Sequence, residues 1–169
     1  ATGEITVQSG TLLDFEATPS LTLFVTVSDG VQTSSPQSVT IQLINVNEVP
    51  QIAGPADTTI NQGGVTAALP ITVDDVDTAA NSLVVTGSSS GQALIPNGNI
   101  VVSGSGTNRT VTISPTANLS GGPVTITLTV SDGTLSTQTT FQLTVTAAND
   151  APVISLVPDQ TINEDTTLG

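Results

Sequence analysis

Fourteen Asp and Glu side chains and one basic side chain, Arg109, make up the charged inventory of this 169-residue chain, giving a net charge of -13. His, Cys, Lys, Met, Trp and Tyr are absent. A Ser-His or Cys-His nucleophile, a Schiff-base lysine and an imidazole or thiolate metal site therefore all lack their atoms. A nucleic-acid partner is excluded on similar grounds, because phosphate neutralisation needs several cations and base stacking needs aromatics. What remains is oxygen chemistry: carboxylates, amides, hydroxyls and backbone carbonyls, the ligands of hard cations such as calcium. Paired carboxylates also serve glycosidases. A sugar cleft relies on aromatic platforms, however, and the only aromatics here are Phe15, Phe24 and Phe141. The chain is not expected to be an enzyme.

The acids are clustered. Asp14 and Glu16, Asp29, Glu48, Asp74, Asp75 and Asp77, Asp132, Asp150, Glu164 and Asp165 fall next to turns or at the ends of apolar segments. The elements that place them there are strands. Val, Ile, Leu and Phe supply 49 of the 169 residues, well above the apolar content of disordered acidic chains. Most of these are β-branched, and Thr is the commonest residue with 30 copies, a composition that favours pleated strands over helix. Leu21, Leu23, Val25 and Val27 alternate with Thr22, Phe24, Thr26 and Ser28, and Val124–Val130 shows the same period of two. Asp29-Gly30, Asn97-Gly98 and Asp132-Gly133 mark turns between such runs. No apolar run approaches the roughly 18 residues of a membrane span. The N-terminal residues carry no signal-peptide pattern, and the chain is expected to be processed or part of a longer one.

Self-comparison organises the strands. Phe24–Gly30 matches Thr127–Gly133 at an offset of 103. Val46–Ile52 matches Ala148–Ile154, and Asp57–Gln62 matches Asp159–Glu164, both at 102. The period divides the chain into the last part of one repeat (1–46), a complete repeat (47–148) and the first strand of another (149–169). Within the complete repeat, seven strands are expected near 51–61, 65–73, 82–87, 98–104, 109–114, 124–131 and 138–147. Seven short strands in about 100 residues describe an immunoglobulin-like Greek-key β-sandwich, so the fold class is all-β, with such sandwiches end to end. In a sandwich the strand ends lie at the poles, and repeats join pole to pole. The junction near residue 47 therefore collects the acids.

Four motifs in order across that junction resemble the cadherin family. Leu13-Asp14-Phe15-Glu16 is similar to its L-D-x-E motif, and Asn45-Val46-Asn47-Glu48-Val49-Pro50 to its D-x-N-D-x-P linker. Asp75-Val76-Asp77 resembles its D-x-D, and Ser131-Asp132 the A-x-D before its last hairpin. The Thr- and Val-rich strands and the Asn-Asp-Ala-Pro linker at 149–152 are closer to cadherin-like tandem repeats of bacterial surface proteins than to animal cadherins. The resemblance implies two or three calcium ions at this junction. Asp14, Glu16 and Glu48 would hold those nearer the first repeat. Asp75, Asp77 and Asp132 would hold one from the second, joined by the Asn47 side chain. Carbonyls of Val46 and Val49 would add neutral ligands, with Asn81 a looser addition. Asn45 departs from the family's Asp and removes one charge.

Elementary electrostatics points the same way. Two like unit charges about 4 Å apart repel by about 4 kcal/mol at an effective dielectric near 20, whereas a whole domain is held by about 5–15 kcal/mol. A cluster of carboxylates at a junction would splay without cations. Calcium would draw it together and stiffen the linker. The second junction differs, since Asp14 and Glu16 map at offset 103 onto Ala117 and Leu119, and Gln62 stands where the third repeat has Glu164. It is expected to bind calcium weakly or not at all from the upstream side.

The resulting expectation is a structural or adhesive segment of a long extracellular, bacterial surface protein, partnered by neighbouring repeats of its own chain. The alternative is a self-assembling extracellular filament, in which residues 153–162 of one copy complete residues 1–46 of another by strand exchange. A module for a specific partner or carbohydrate has no aromatic or basic cluster to support it. The sequons Asn108-Arg109-Thr110 and Asn118-Leu119-Ser120 are read as chance in a Thr- and Ser-rich chain. Arg109 is expected on the surface, with pairing to a nearby acid as the alternative, the three Phe residues in cores, with an interface as the alternative for Phe24 on the polar phase of its strand, and Asp74 and Asp165 in solvent.

Overall fold

The alternating segments between residues 51 and 146 pair as two antiparallel-rich sheets packed face to face. The computed structural model describes residues 13–149, 152–159, 161 and 164. Among the described residues ten strands run in chain order: β1 (Ser20–Val25), β2 (Gln37–Gln42), β3 (Gln51–Ala53), β4 (Thr58–Asn61), β5 (Leu69–Asp74), β6 (Val84–Ser89), β7 (Ile100–Ser103), β8 (Asn108–Ile113), β9 (Gly121–Ser131) and β10 (Ser136–Thr146). One sheet has the order β3-β5-β8-β7, the other β4-β10-β9-β6, and β1 pairs with β2 alone. No helix among the described residues is long and apolar enough to cross a membrane.

The period of two decides what faces inward. On β9, Val124, Ile126, Leu128 and Val130 are buried while Thr125, Thr127, Thr129 and Ser131 lie on the other face. Phe141 and Leu143 of β10 meet Ile71 of β5 and Val111 and Ile113 of β8 across the interior, while Val73 of β5 packs with Leu83 and Val130 in a second, smaller cluster. Ile95, from the connection between β6 and β7, fills the core without accessible surface. Small residues allow the close approach. A Cβ on Gly87 would lie 2.3 Å from the Ile100 Cγ2, so the strands can only meet there through glycine.

The expected single strand over 51–61 is two strands in different sheets. β3 pairs antiparallel with β5, whereas β4 pairs in parallel with the end of β10. The crossing falls at Gly54-Pro55, where proline has no N–H for a ladder and a Cβ on Gly54 would sit 2.8 Å from the Thr139 Cγ2. Asp57 completes the switch by accepting the Gln142 N–H of β10 at 2.8 Å. The expected strand over 65–73 begins later, at Leu69. Ahead of it, buried Thr66 donates its N–H to the Ile113 carbonyl at 3.0 Å and accepts the Ile113 N–H on Oγ1 at 2.9 Å, so its hydroxyl takes the place of a ladder carbonyl.

Two placements are corrected. Phe24 is 75% exposed rather than in a core, because it lies on the Thr-bearing phase of β1, as its position in the alternation implies. Phe141 is buried and Phe15 half-buried. Arg109 is 8% exposed rather than on the surface, since its position on β8 is in phase with Val111 and Ile113. Its guanidinium donates to carbonyls, with Nε to Gly106 at 3.1 Å and Nη2 to Ala80 and, at 2.9 Å, to Leu83. Asp74 is exposed, whereas Asp150 and Asp165 lie outside the described residues.

The two Ser-Asp-Gly segments, at 28–30 and 131–133, make matching hydrogen bonds. Asp132 Oδ1 accepts the N–H groups of Thr134 and Leu135, and Asp29 Oδ1 those of Val31 and Gln32. Ser131 Oγ donates to Leu135 and accepts from Gly133, and Ser28 Oγ does the same with Gln32 and Gly30. Gly30 and Gly133 both take positive φ, 93° and 101°, the conformation for which glycine is suited.

Candidate metal centre

Three carboxylates converge beside Asn47. One oxygen each of Glu16, Glu48 and Asp77 lie within 4.8 Å of one another, brought from the turn after Leu13, from the linker and from the loop 75–83 between β5 and β6. Local hydrogen bonding fixes each contributing segment. Asp14 Oδ1 accepts the Ala17 N–H at 2.8 Å and closes the turn that carries Glu16. Asp75 Oδ1 accepts the N–H groups of Asp77 at 2.8 Å and Thr78 at 2.7 Å, an Asx turn that points Asp77 at the linker.

The linker is held at both ends of Asp77. Asn45 Nδ2 donates to Asp77 Oδ1 at 2.7 Å, and the Glu48 N–H to Asp77 Oδ2 at 2.9 Å. Asn47 Nδ2 donates to Asp132 Oδ2 at 2.7 Å, tying the linker to the β9–β10 hairpin. Pro50, just beyond, is among the fully buried side chains. These contacts set the acids apart. Asp77 is held below the ordinary carboxylate value, first by the Asn45 side chain and then by the Glu48 N–H. Asp132 is lowered chiefly by Asn47, then by the Leu135 and Thr134 amides. Glu48 is pushed up by its hydrogen bond with Asp77, by desolvation and by the negative charges of Asp77 and Glu16.

Whether a hard cation suits this donor set can be judged on one atom. Asp75 Oδ2 is buried and has no hydrogen-bond partner. A buried carboxylate oxygen left unpaired is costly, and a hard cation is the kind of group that would satisfy it. The oxygen-only donor set fits calcium as well. Asp14, Val46 and Val76 line an open cavity of about 740 Å³ with Glu16 and Glu48. Val49 is exposed in the linker and Asn81 on the loop 75–83. Neither belongs to the tight trio. At the other end of the sandwich, Gln62 Oε1 accepts the Ala148 N–H at 3.2 Å, and the acid Asp150 of the second linker lies outside the described residues.

Sequence reasoning missed two contributors. Asn45 was legible only as a lost charge, yet its amide donates to Asp77, which a carboxylate could not do. Arg109 anchors the loop 75–83 from below, and its phase with Val111 and Ile113 was the available signal.

The family model of the bacterial Ig domain matches residues 47–146. The chain belongs to that family, and its β-sandwich is an immunoglobulin-like fold. No curated protein matches the chain. Among solved structures it is similar to a chimeric titin Z1Z2, at 17% identity over 62% of this chain and 100% of that one, with a TM-score of 0.44. It is also similar to titin domain M7, at 21% identity over 61% and 99%, with a TM-score of 0.44. A third similar structure is an endo-fucoidan hydrolase of glycoside hydrolase family 107, at 17% identity over 76% of this chain and 19% of that one, with a TM-score of 0.43.

Proposed function

We propose that the junction around Asn47 is a calcium site of cadherin-like type, and that the protein is a structural segment of an extended extracellular surface protein. The observation that carries this reading is the convergence of Glu16, Glu48 and Asp77 from both sides of the linker. Glu16 and Glu48 approach from the first repeat and the linker, Asp77 from the sandwich that follows. Their mutual repulsion opposes the arrangement in the absence of a counter-charge. Asp75, with its buried unpaired oxygen, and Asp14, Asn47, Asp132 and the carbonyls of Val46 and Val49 would fill out the 6–8 oxygens that calcium takes; Asn81 is the most distant candidate. Bound calcium supplies positive charge and a directional link between oxygens of the two sides. The chain's own residues do the rest: Asp75 and Asn45 orient Asp77, Asn47 fixes the linker to the last hairpin, and Pro50 restrains the linker where it enters the sandwich. Two or three ions would make the junction a stiff element of a stalk, with a mechanical role in place of a catalytic one.

Calorimetric titration of the chain with calcium tests this. The reading predicts binding in the range of about 10⁻⁴–10⁻³ M, filled outside cells and empty inside them, and its loss in Asp77→Asn. Absence of binding, or binding indifferent to Asp77→Asn, contradicts it.

We propose as a second reading the assembly of copies by strand exchange, in which another copy would cover the exposed Val153, Ile154 and Leu156. It predicts concentration-dependent fibres from the purified chain, and a monodisperse monomer at high concentration contradicts it.

A further inference from the structure

We propose that Arg109 is the positioning residue of the cation site: it presets the loop 75–83, and with it Asp75 and Asp77, before any metal arrives. The proposal rests on the calcium reading above and adds a residue that none of the cadherin-like motifs contains.

Burying a cation costs several kcal/mol unless its donors are met. Arg109 is buried at the end of β8, opposite Ile71 of β5, and the partners that meet its donors are backbone carbonyls. Two of the three, Ala80 and Leu83, belong to the loop that carries the acids, and the third, Gly106, belongs to the turn leading into β8. The planar fork of a guanidinium can serve several carbonyls at fixed angles, which an ammonium cannot. The loop is thus clamped twice. Asp75 fixes its start through the N–H groups of Asp77 and Thr78, and Arg109 fixes its end from inside the sandwich. The Ser82 N–H closes the turn between them on the Ala79 carbonyl at 2.8 Å.

Arg109 is the one basic side chain in a chain of net charge -13, and its guanidinium is committed to backbone carbonyls, two of them in the loop that carries Asp75 and Asp77. A preset loop loses less conformational entropy on binding. Removing the clamp should therefore weaken calcium binding even though Arg109 touches no metal.

The test uses the full chain with Arg109→Met and Arg109→Lys, each titrated with calcium and each followed by hydrogen exchange in EGTA. Arg109→Met should bind calcium roughly 10–100-fold more weakly, as for the loss of an outer support of a metal ligand. Arg109→Lys, keeping the charge without the fork, should fall between. In EGTA, the amides of Asp77 and Thr78 should exchange faster in Arg109→Met while those of Thr134 and Leu135, on the neighbouring hairpin, keep their wild-type rates. An unchanged calcium affinity in Arg109→Met, or equal acceleration at both pairs of amides, would overturn the proposal and leave Arg109 a general core residue. If Arg109→Met does not fold, Arg109→Lys decides by the same two readouts. If the wild-type chain takes up no calcium, the calcium reading fails by itself and the exchange pattern in EGTA alone decides whether Arg109 presets the loop.

Discussion

Asn45 Nδ2 lies 2.7 Å from Asp77 Oδ1, and this bond joins the end of one half of the junction to the loop of the other across 32 residues. A carboxylate at position 45 would be a further candidate ligand for a cation, but it could not donate. The amide therefore stabilises the junction without metal at the expense of one negative charge for the metal.

Asn45→Asp exchanges these two properties. Without calcium it should lower the melting temperature, and the deficit should shrink as salt rises toward 1 M, where the screening length is about 3 Å. With calcium it should tighten binding by on the order of tenfold, since affinity in such sites follows ligand charge. Melting curves in EGTA at two salt concentrations, with a calcium titration, check both signs. Equal melting temperatures in EGTA would mean that the Asn45–Asp77 bond contributes nothing to the junction.

Thr66 predicts a loss with no change of volume. Thr66→Val keeps the shape of a buried side chain but leaves the Ile113 N–H without its acceptor. An unpaired buried donor costs about 1–3 kcal/mol, to be read as a shift in the urea midpoint at unchanged m. Gly87→Ala should cost about as much, through overpacking against Ile100. Replacing Ile100 by Leu in the same chain removes the offending β-branch and should return part of the loss.

Acid should act on the first hairpin through Asp29. The N–H groups of Gln32 and Val31 hold its carboxyl below the ordinary value of 3.8. The folded form thus favours the carboxylate. The stabilisation is fully present above the unfolded value and is lost as pH falls through the lower folded one. A carbon-detected NMR titration in EGTA should find Asp29 titrating below a free Asp. Acid should weaken the turn at Asp29–Gln32 less in Asp29→Asn, whose amide oxygen can accept both bonds without titrating. A normal Asp29 titration would contradict this.

Much of the sandwich was legible because alternation leaves a two-way record. The inward set of β9 and β10, Val124 through Val145, is the set that the period of two selects. The positions that escaped are those where one residue serves two constraints. Gly54-Pro55 ends a ladder and changes sheet, and the apolar residues on both sides, Ile52 and Ile60, read as a single strand because both face the core. Arg109 was placed by its charge, whereas its phase on β8 governed its burial, made tolerable by carbonyls that no local pattern announces. Phe24 was placed in a core by its hydrophobicity although its phase pointed outward, and it is the most exposed apolar residue of a strand whose Leu23 and Val25 are also exposed. At the junction, motif order brought Glu16, Glu48 and Asp77 onto one list of candidates. Their mutual approach depends on Asn45, Asn47 and Asp75, which act through hydrogen bonds between segments far apart in the chain.

The central claim, that calcium draws this junction together, is tested most directly by thermal unfolding of the chain in about 2 mM calcium, above the expected dissociation range, and in excess EGTA. A chain carrying Asp75→Asn and Asp77→Asn is run alongside. The account predicts a melting temperature that rises with calcium in the wild type and no longer responds in the double variant. Superimposable curves in calcium and EGTA for the wild-type chain would contradict it and leave the acids as a solvated surface.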